Sequence, residues 1–268
     1  MKLSIFRLNA FSKGPFGGNP AAVCPLDTWL PDSTMQAIAA EMNLSETAFF
    51  IPRGKEYDIR WFTPRLEVPL CGHATLATAA VVFARLQPTK TRIVFQSRSG
   101  PLTVEQKDEL LELDFPALPS CEVPVAGEFA AALGACPVTA RKAGDRIFAV
   151  FEGAETVRGL RPNFPQLASL YPSGAGATSP GTGEDSDVDF VSRYFAPAKG
   201  VPEDPVTGSA HCVLTPYWAG RIGKTRLLAR QVSHRPGDLT VISRESRVGI
   251  AGAVRLVMEG TFYLDLGI

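Results

Sequence analysis

Two short words recur, in the same order, half a chain apart. RWFTP at 60–64 returns as RYFAP at 193–197, and PLCGHA at 69–74 returns as PVTGSA at 205–210. The shared pattern is Arg, aromatic, Phe, any residue, Pro, then a loop, then Pro, two residues, Gly, one residue, Ala, with three extra residues in the second loop. A chain of 268 residues that repeats ordered words at this spacing is expected to build two similar lobes, each running strand, loop, helix. Each P-x-x-G-x-A segment then stands where a strand ends and an apolar helix begins. Small residues there let a ligand approach backbone N–H groups at the positive helix end.

Composition narrows what such lobes can serve. Lys and Arg number 27, as do Asp and Glu, with neither sign gathered into a run, so nothing marks a nucleic-acid or anionic-membrane partner. No apolar stretch approaches the roughly 18 residues of a membrane span, although 45% of the chain is hydrophobic. The start, MKLSIFRLNAFSKG, lacks the apolar region and cleavage site of a signal peptide and reads as a first strand. Five scattered cysteines, Cys24, Cys71, Cys121, Cys136 and Cys212, form no C-x-x-C pair. They argue against a disulfide framework and for a reducing, cytoplasmic compartment.

Along the chain, SIFRLNAF, AFFI, YDIRWF, RIVFQS, LTVEQK and LLELDF are short, β-branched or aromatic, and predict strands. Ser33 is placed to cap a helix that ends near Asn43, and ATLATAAVVFARL has the apolar density of a buried helix. The Pro-rich LPSCEVP suggests the crossing between lobes, giving 1–118 and 119–268, with the last strand free to return to the first lobe. Beyond it a helix over 128–135 and a strand around RIFAVFE are expected. The Gly, Ser and Pro content of SGAGATSPGTGEDSD predicts a flexible surface loop away from the active site.

The polar inventory at the repeated helix starts is Cys71 and His73 in the first half, and Glu203, Asp204, Thr207, Ser209 and His211 in the second. Gly72 and Gly208 serve either a tight helix entry or close approach of a ligand. Glu46, between Leu44 and Phe49 at a helix-to-strand corner, is a candidate proton shuttle, since a partly desolvated carboxylate suits general acid/base work. The alternative for Ser45, Glu46 and Thr47 is a simple turn. Cys71, His73, His211 and Cys212 could supply soft metal ligands, but C-x-H and H-C are not zinc spacings, so no metal is expected. No phosphate loop or strand-linked G-x-G-x-x-G appears, so no nucleotide cofactor is expected either.

FGGNPAAVC at 16–24, NLSETAFF, PLCGHATLA and EDPVTGSAH together resemble the phenazine-biosynthesis (PhzF-like) isomerase family, within the diaminopimelate-epimerase fold. The resemblance implies an α+β fold of two pseudo-symmetric lobes. Each is a curved, mostly antiparallel sheet around a central helix, with the site in the cleft. It implies that Glu46 moves a proton between carbons of a small carboxylated metabolite, with His73 and Asp204 as further catalytic groups. Asn19, Cys71, Gly72, Thr207, Gly208 and Ser209 would then line the substrate. It also implies a cofactor-independent reaction and a homodimer. Related epimerases use two opposed thiols; Cys71 holds one of those positions, but Thr207 holds the other, and a hydroxyl is too weak an acid to replace a thiol. Amino-acid epimerisation is therefore the lesser alternative, beside a non-catalytic binding protein of the same fold.

Overall fold

Alternation in KLSIFRLNA turns Leu3 and Ile5 to one face of β1 (Lys2–Ala10) and Phe6 and Leu8 to the other, all four buried, and the strand pairs antiparallel with β2 (Asn19–Pro25). The computed structural model describes residues 1–264. Its chain divides into two units, Met1–Asp114 together with the chain from Ala251 onward, and Phe115–Ile250. The first crossing thus falls at Asp114/Phe115.

The first unit continues with α1 (Asp32–Met42), β3 (Glu46–Arg53), β4 (Glu56–Phe62), β5 (Glu67–Val68), α2 (Gly72–Val81), β6 (Arg92–Ser97), β7 (Gly100–Lys107) and β8 (Leu110–Pro116). The second contains β9 (Cys121–Val123), α3 (Gly127–Leu133), β10 (Thr139–Ala143), β11 (Arg146–Val150), α4 (Ala154–Gly159) and α5 (Phe164–Leu170). It goes on through β12 (Ala175–Pro180), β13 (Phe190–Ala196), β14 (Val201–Asp204), α6 (Gly208–Ile222), β15 (Arg226–Gln231), β16 (Gly237–Arg244) and β17 (Arg247–Gly252). A final strand, β18 (Val254–Tyr263), pairs antiparallel with β1 and so belongs to the first unit.

The strand ladders repeat in kind. From β1 to β7 the successive pairings are antiparallel β1–β2, parallel β2–β3, antiparallel β3–β4 and β4–β5, parallel β4–β6, and antiparallel β6–β7. From β10 to β16 the same series recurs: antiparallel β10–β11, parallel β11–β12, antiparallel β12–β13 and β13–β14, parallel β13–β15, antiparallel β15–β16. RWF and RYF close the equivalent strands β4 and β13. The strand, loop, helix order expected from the duplicated words recurs in both halves, and the architecture is the mixed α+β one that the resemblance implied.

In each unit the helix after the repeated word is buried on nearly every side, as its apolar composition requires. In α2 two buried threonines satisfy their hydroxyls by donating one turn back, Thr75 to the Cys71 carbonyl at 2.5 Å and Thr78 to the Ala74 carbonyl at 2.8 Å. Phe49, Phe62, Met35 and Ile38 pack the core under α1. Phe129, Phe151, Val191 and Phe195 anchor that of the second unit.

Three local expectations are corrected. The segment read as a flexible surface loop contains β12, whose residues 175–179 are all buried. Its small residues are there because neighbours leave no room: a Cβ on Gly176 would collide with the Phe148 ring, and one on Gly181 with the Val188 carbonyl. Ser33 does not cap α1, which starts at Asp32 with Pro31 as its boundary residue and no side-chain cap. Its end is as expected, Asn43 adopting the left-handed conformation at φ 47°. Part of LPSCEVP is not linker but β9, paired with β10. No helix among the described residues is long and apolar enough to cross a membrane.

Candidate active site

In the first unit, three chain segments bring their N-terminal ends to one place. Asn19 opens β2 and is fully buried; Ala21, two residues on, lies opposite Glu46, the first residue of β3, in the parallel ladder. Cys71 is the extended residue at the boundary of α2, and Gly72 and His73 begin its first turn. The His73 ring bonds the backbone of Pro20, so the helix start is tied to β2.

The imidazole of His73 stands between two side chains. Its Nε2 lies 3.2 Å from Glu46 Oε2, and its Nδ1 lies 3.5 Å from Cys71 Sγ. Burial depresses His73 from its ordinary value to about 3, partly opposed by the Pro20 backbone. The ring is therefore neutral near pH 7, and the contact with Glu46 is not an ion pair. A neutral imidazole carries one proton, so one neighbour faces an N–H and the other a lone pair. With the proton on Nε2 the ring suits an ionised Glu46, and with it on Nδ1 the Nε2 lone pair suits a protonated one. Glu46 has 18% of its side chain exposed, which keeps it open to a reactant.

Ligand atoms of Glu46, Cys71 and His73 all lie within 4.8 Å of one another, so these three residues could hold a metal ion. The contacts themselves run as a chain, because the nitrogen facing the thiol is not the one facing the carboxylate. A metal takes one nitrogen of a histidine together with the other ligands around a common centre. The arrangement fits proton transfer better than coordination. His211 and Cys212 are both buried in α6 of the second unit, His211 with Nδ1 2.9 Å from the Thr207 carbonyl.

The second unit's candidates sit around the start of α6. Thr207 is the extended boundary residue, equivalent to Cys71, and Gly208 and Ser209 open the helix. The Thr207 hydroxyl donates to Asp204 Oδ2 at 2.6 Å, and the Ser209 carbonyl accepts from Arg146 at 3.2 Å. Glu203 is not a companion acid of Asp204. It makes a two-point pair with Arg193, at 2.6 and 2.9 Å, just as Glu67 does with Arg60 at 2.7 and 2.8 Å. These are structural pairs common to both units, which pin the strand ahead of each helix start to the Arg-aromatic-Phe strand.

The register shows where the units differ. Phe62 lies opposite Thr47, and its counterpart Phe195 lies opposite Ala175, so the position of Glu46 is held by Gly174 in the second unit. By the same counting His73 answers to Ser209, Cys71 to Thr207, and Val68 to Asp204. One unit carries carboxylate, imidazole and thiol; the other carries hydroxyls in place of the imidazole and the thiol, and its carboxylate at a different position. The candidates at the two helix starts were legible in the sequence, but Arg146, the first residue of β11, and Gln231, the last of β15, carry no local signal and were missed.

A family model described as phenazine biosynthesis-like protein matches residues 8–260. An uncharacterized isomerase of Pseudomonas aeruginosa is 50% identical over 265 residues, covering 99% of this chain and all of that one. The crystal structure of a phenazine biosynthesis protein PhzF family member from Enterococcus faecalis superposes with TM-score 0.94 at 45% identity, over 98% of this chain and 100% of that one. A hydroxyproline epimerase of Agrobacterium vitis shares the fold alone, with TM-score 0.60 at 10% identity, over 98% of this chain and 93% of that one.

Proposed function

Because the chain belongs to the phenazine biosynthesis-like family and its close relatives are named isomerases, we propose that it moves a proton on a small carboxylated metabolite without a cofactor. Glu46 takes the proton from one carbon as a carboxylate and returns it to another as the acid. The observation that carries this reading is the contact of Glu46 with a neutral His73, in line with the Cys71 thiol. A neutral imidazole beside the carboxylate can donate or accept a hydrogen bond as Glu46 changes charge, so both halves of the reaction keep a partner. Asp204, Thr207, Gly208 and Ser209 are the proposed binding groups of the second unit, and Asn19, Gly72 and Cys71 those of the first.

Two-thiol epimerisation is disfavoured by the hydroxyl of Thr207, which is engaged with Asp204 and stands where the second thiol would be needed. A screen of small carboxylic acids in deuterium oxide tests the proposal. A compound that gains a solvent deuteron and changes its double-bond position only with the enzyme supports it. Deuterium gain with inversion of a single stereocentre and no bond shift would point to epimerisation instead.

A further inference from the structure

The helix start that carries Asp204 and Thr207 is held by a side chain with no role in the reading above. Gln231, the last residue of β15, is fully buried. Its Oε1 accepts from the Thr207 backbone N–H at 2.8 Å, and its Nε2 donates to the Asp204 carbonyl at 2.7 Å and to Thr207 Oγ1 at 3.2 Å. The Thr207 hydroxyl, receiving from Gln231, passes its own proton to Asp204 Oδ2. One amide therefore fixes both the backbone of the turn and the direction in which the Thr207 hydroxyl points.

The other unit shows that the turn does not need this. Asp58 of β4 lies opposite Gln96, and Val191 of β13 lies opposite Arg230. Asp58 and Val191 each precede the repeated arginine by two, so Ser97 and Gln231 occupy the same place. Two residues later a serine clamps the turn in both units: Ser99 Oγ donates to the Pro69 carbonyl at 2.8 Å, and Ser233 Oγ to the equivalent Pro205 carbonyl at 2.7 Å. The Ser97 hydroxyl, however, bonds within its own hairpin, donating to the Gly100 carbonyl and accepting from the Ser99 N–H. The first unit thus builds the same strand-to-helix turn with the serine clamp and without the amide. The amide is present in the unit where Val68 is replaced by Asp204 and Cys71 by Thr207.

We infer that Gln231 is a positioning residue, which holds Thr207 so that its hydroxyl donates to Asp204 and fixes that carboxylate. The inference rests on the proposed function only in counting Asp204 among the site residues. Around the carboxylate within its unit stand Tyr194, its ladder partner on β13, and Arg146 and Asp145, which act on the same phenol. Glu203, its chain neighbour, is bound to Arg193. None of these is altered by the variants below.

The test follows the Asp204 carboxyl carbon by NMR in full-length protein labelled with ¹³C-aspartate, as a function of pH. Gln231→Met keeps the length of the side chain and removes the amide; Thr207→Val removes the hydroxyl. Each is expected to raise the Asp204 midpoint, because a donor to the charged form is lost or misdirected. The double variant should move it no further than the larger single change, as for two members of one chain. Ser233→Ala should lower thermal stability and leave the midpoint in place. Should Gln231→Met fail to fold, Gln231→Asn, which keeps an amide but retracts it, is expected to raise the midpoint as well. An unchanged midpoint in a folded Gln231 variant overturns the inference, as does an equal shift in Ser233→Ala. The measurement needs no turnover, so an error in assigning proton transfer to Glu46 would leave its outcome intact.

Discussion

Each unit buries one neutral histidine, and this makes stability pH-dependent in a window where carboxylates contribute little. Burial lowers His73 to about 3 and His211 to about 4, from an ordinary value of 6.5, with backbone bonds to Pro20 and Thr207 opposing the shift. Below pH 6.5 the unfolded chain takes up a proton that the native state refuses, so stability is complete above that value and falls as pH drops toward the native values. Linkage gives a limiting slope of about 1.4 kcal/mol per pH unit for one proton, and integration from pH 7 to pH 5 gives a loss of about 2 kcal/mol for each histidine. Urea unfolding at pH 7, 6 and 5, followed by far-UV circular dichroism, measures it. His211→Gln retains a donor for the Thr207 carbonyl and cannot titrate, so it should remove the share of the loss that His211 contributes and leave that of His73. Stability that is flat between pH 7 and pH 5, or a pH dependence untouched by the substitution, would refute the claim that these rings are held neutral by burial.

Two further outcomes follow from packing and charge. The thiols of Cys24 and Cys212 are buried and pushed up to about 12 by burial, whereas Cys121 and Cys136 are exposed, so a disulfide reagent at pH 8 should label the latter two in native protein and leave Cys24 and Cys212 unreacted until unfolding. Arg193→Ala should cost about 3–5 kcal/mol in urea unfolding, since it strands a nearly buried Glu203 and three carbonyls, those of Val157, Arg158 and Leu160. Arg60→Ala should cost less, because Glu67 keeps Arg98 at 2.9 Å.

The duplicated words carried most of the architecture, because Arg-aromatic-Phe and P-x-x-G-x-A mark a strand end and a helix start that physics treats alike in both halves. Glu46, His73 and Cys71 were legible as single residues; their alignment through the two nitrogens of one ring was not, since it depends on β2, β3 and α2 meeting. Gly and Ser misled at β12, where small residues relieve crowding rather than loosen a loop. The acidic pair Glu203–Asp204 looked like one feature, yet adjacent strand residues point to opposite faces, and one meets Arg193 while the other meets Thr207. Gln231 could not be seen at all, because a lone amide in a strand declares nothing until its three bonds are formed.

In the proposed reaction Glu46 carries the proton, and isotope exchange into bound substrate tests that most directly. Glu46→Gln keeps size and hydrogen bonding but cannot take up and return a proton. With the compound found by the deuterium screen, exchange should slow by about 10² to 10⁴ while affinity changes little. Exchange at the native rate by a correctly folded Glu46→Gln enzyme would contradict the account and move the proton shuttle to another residue.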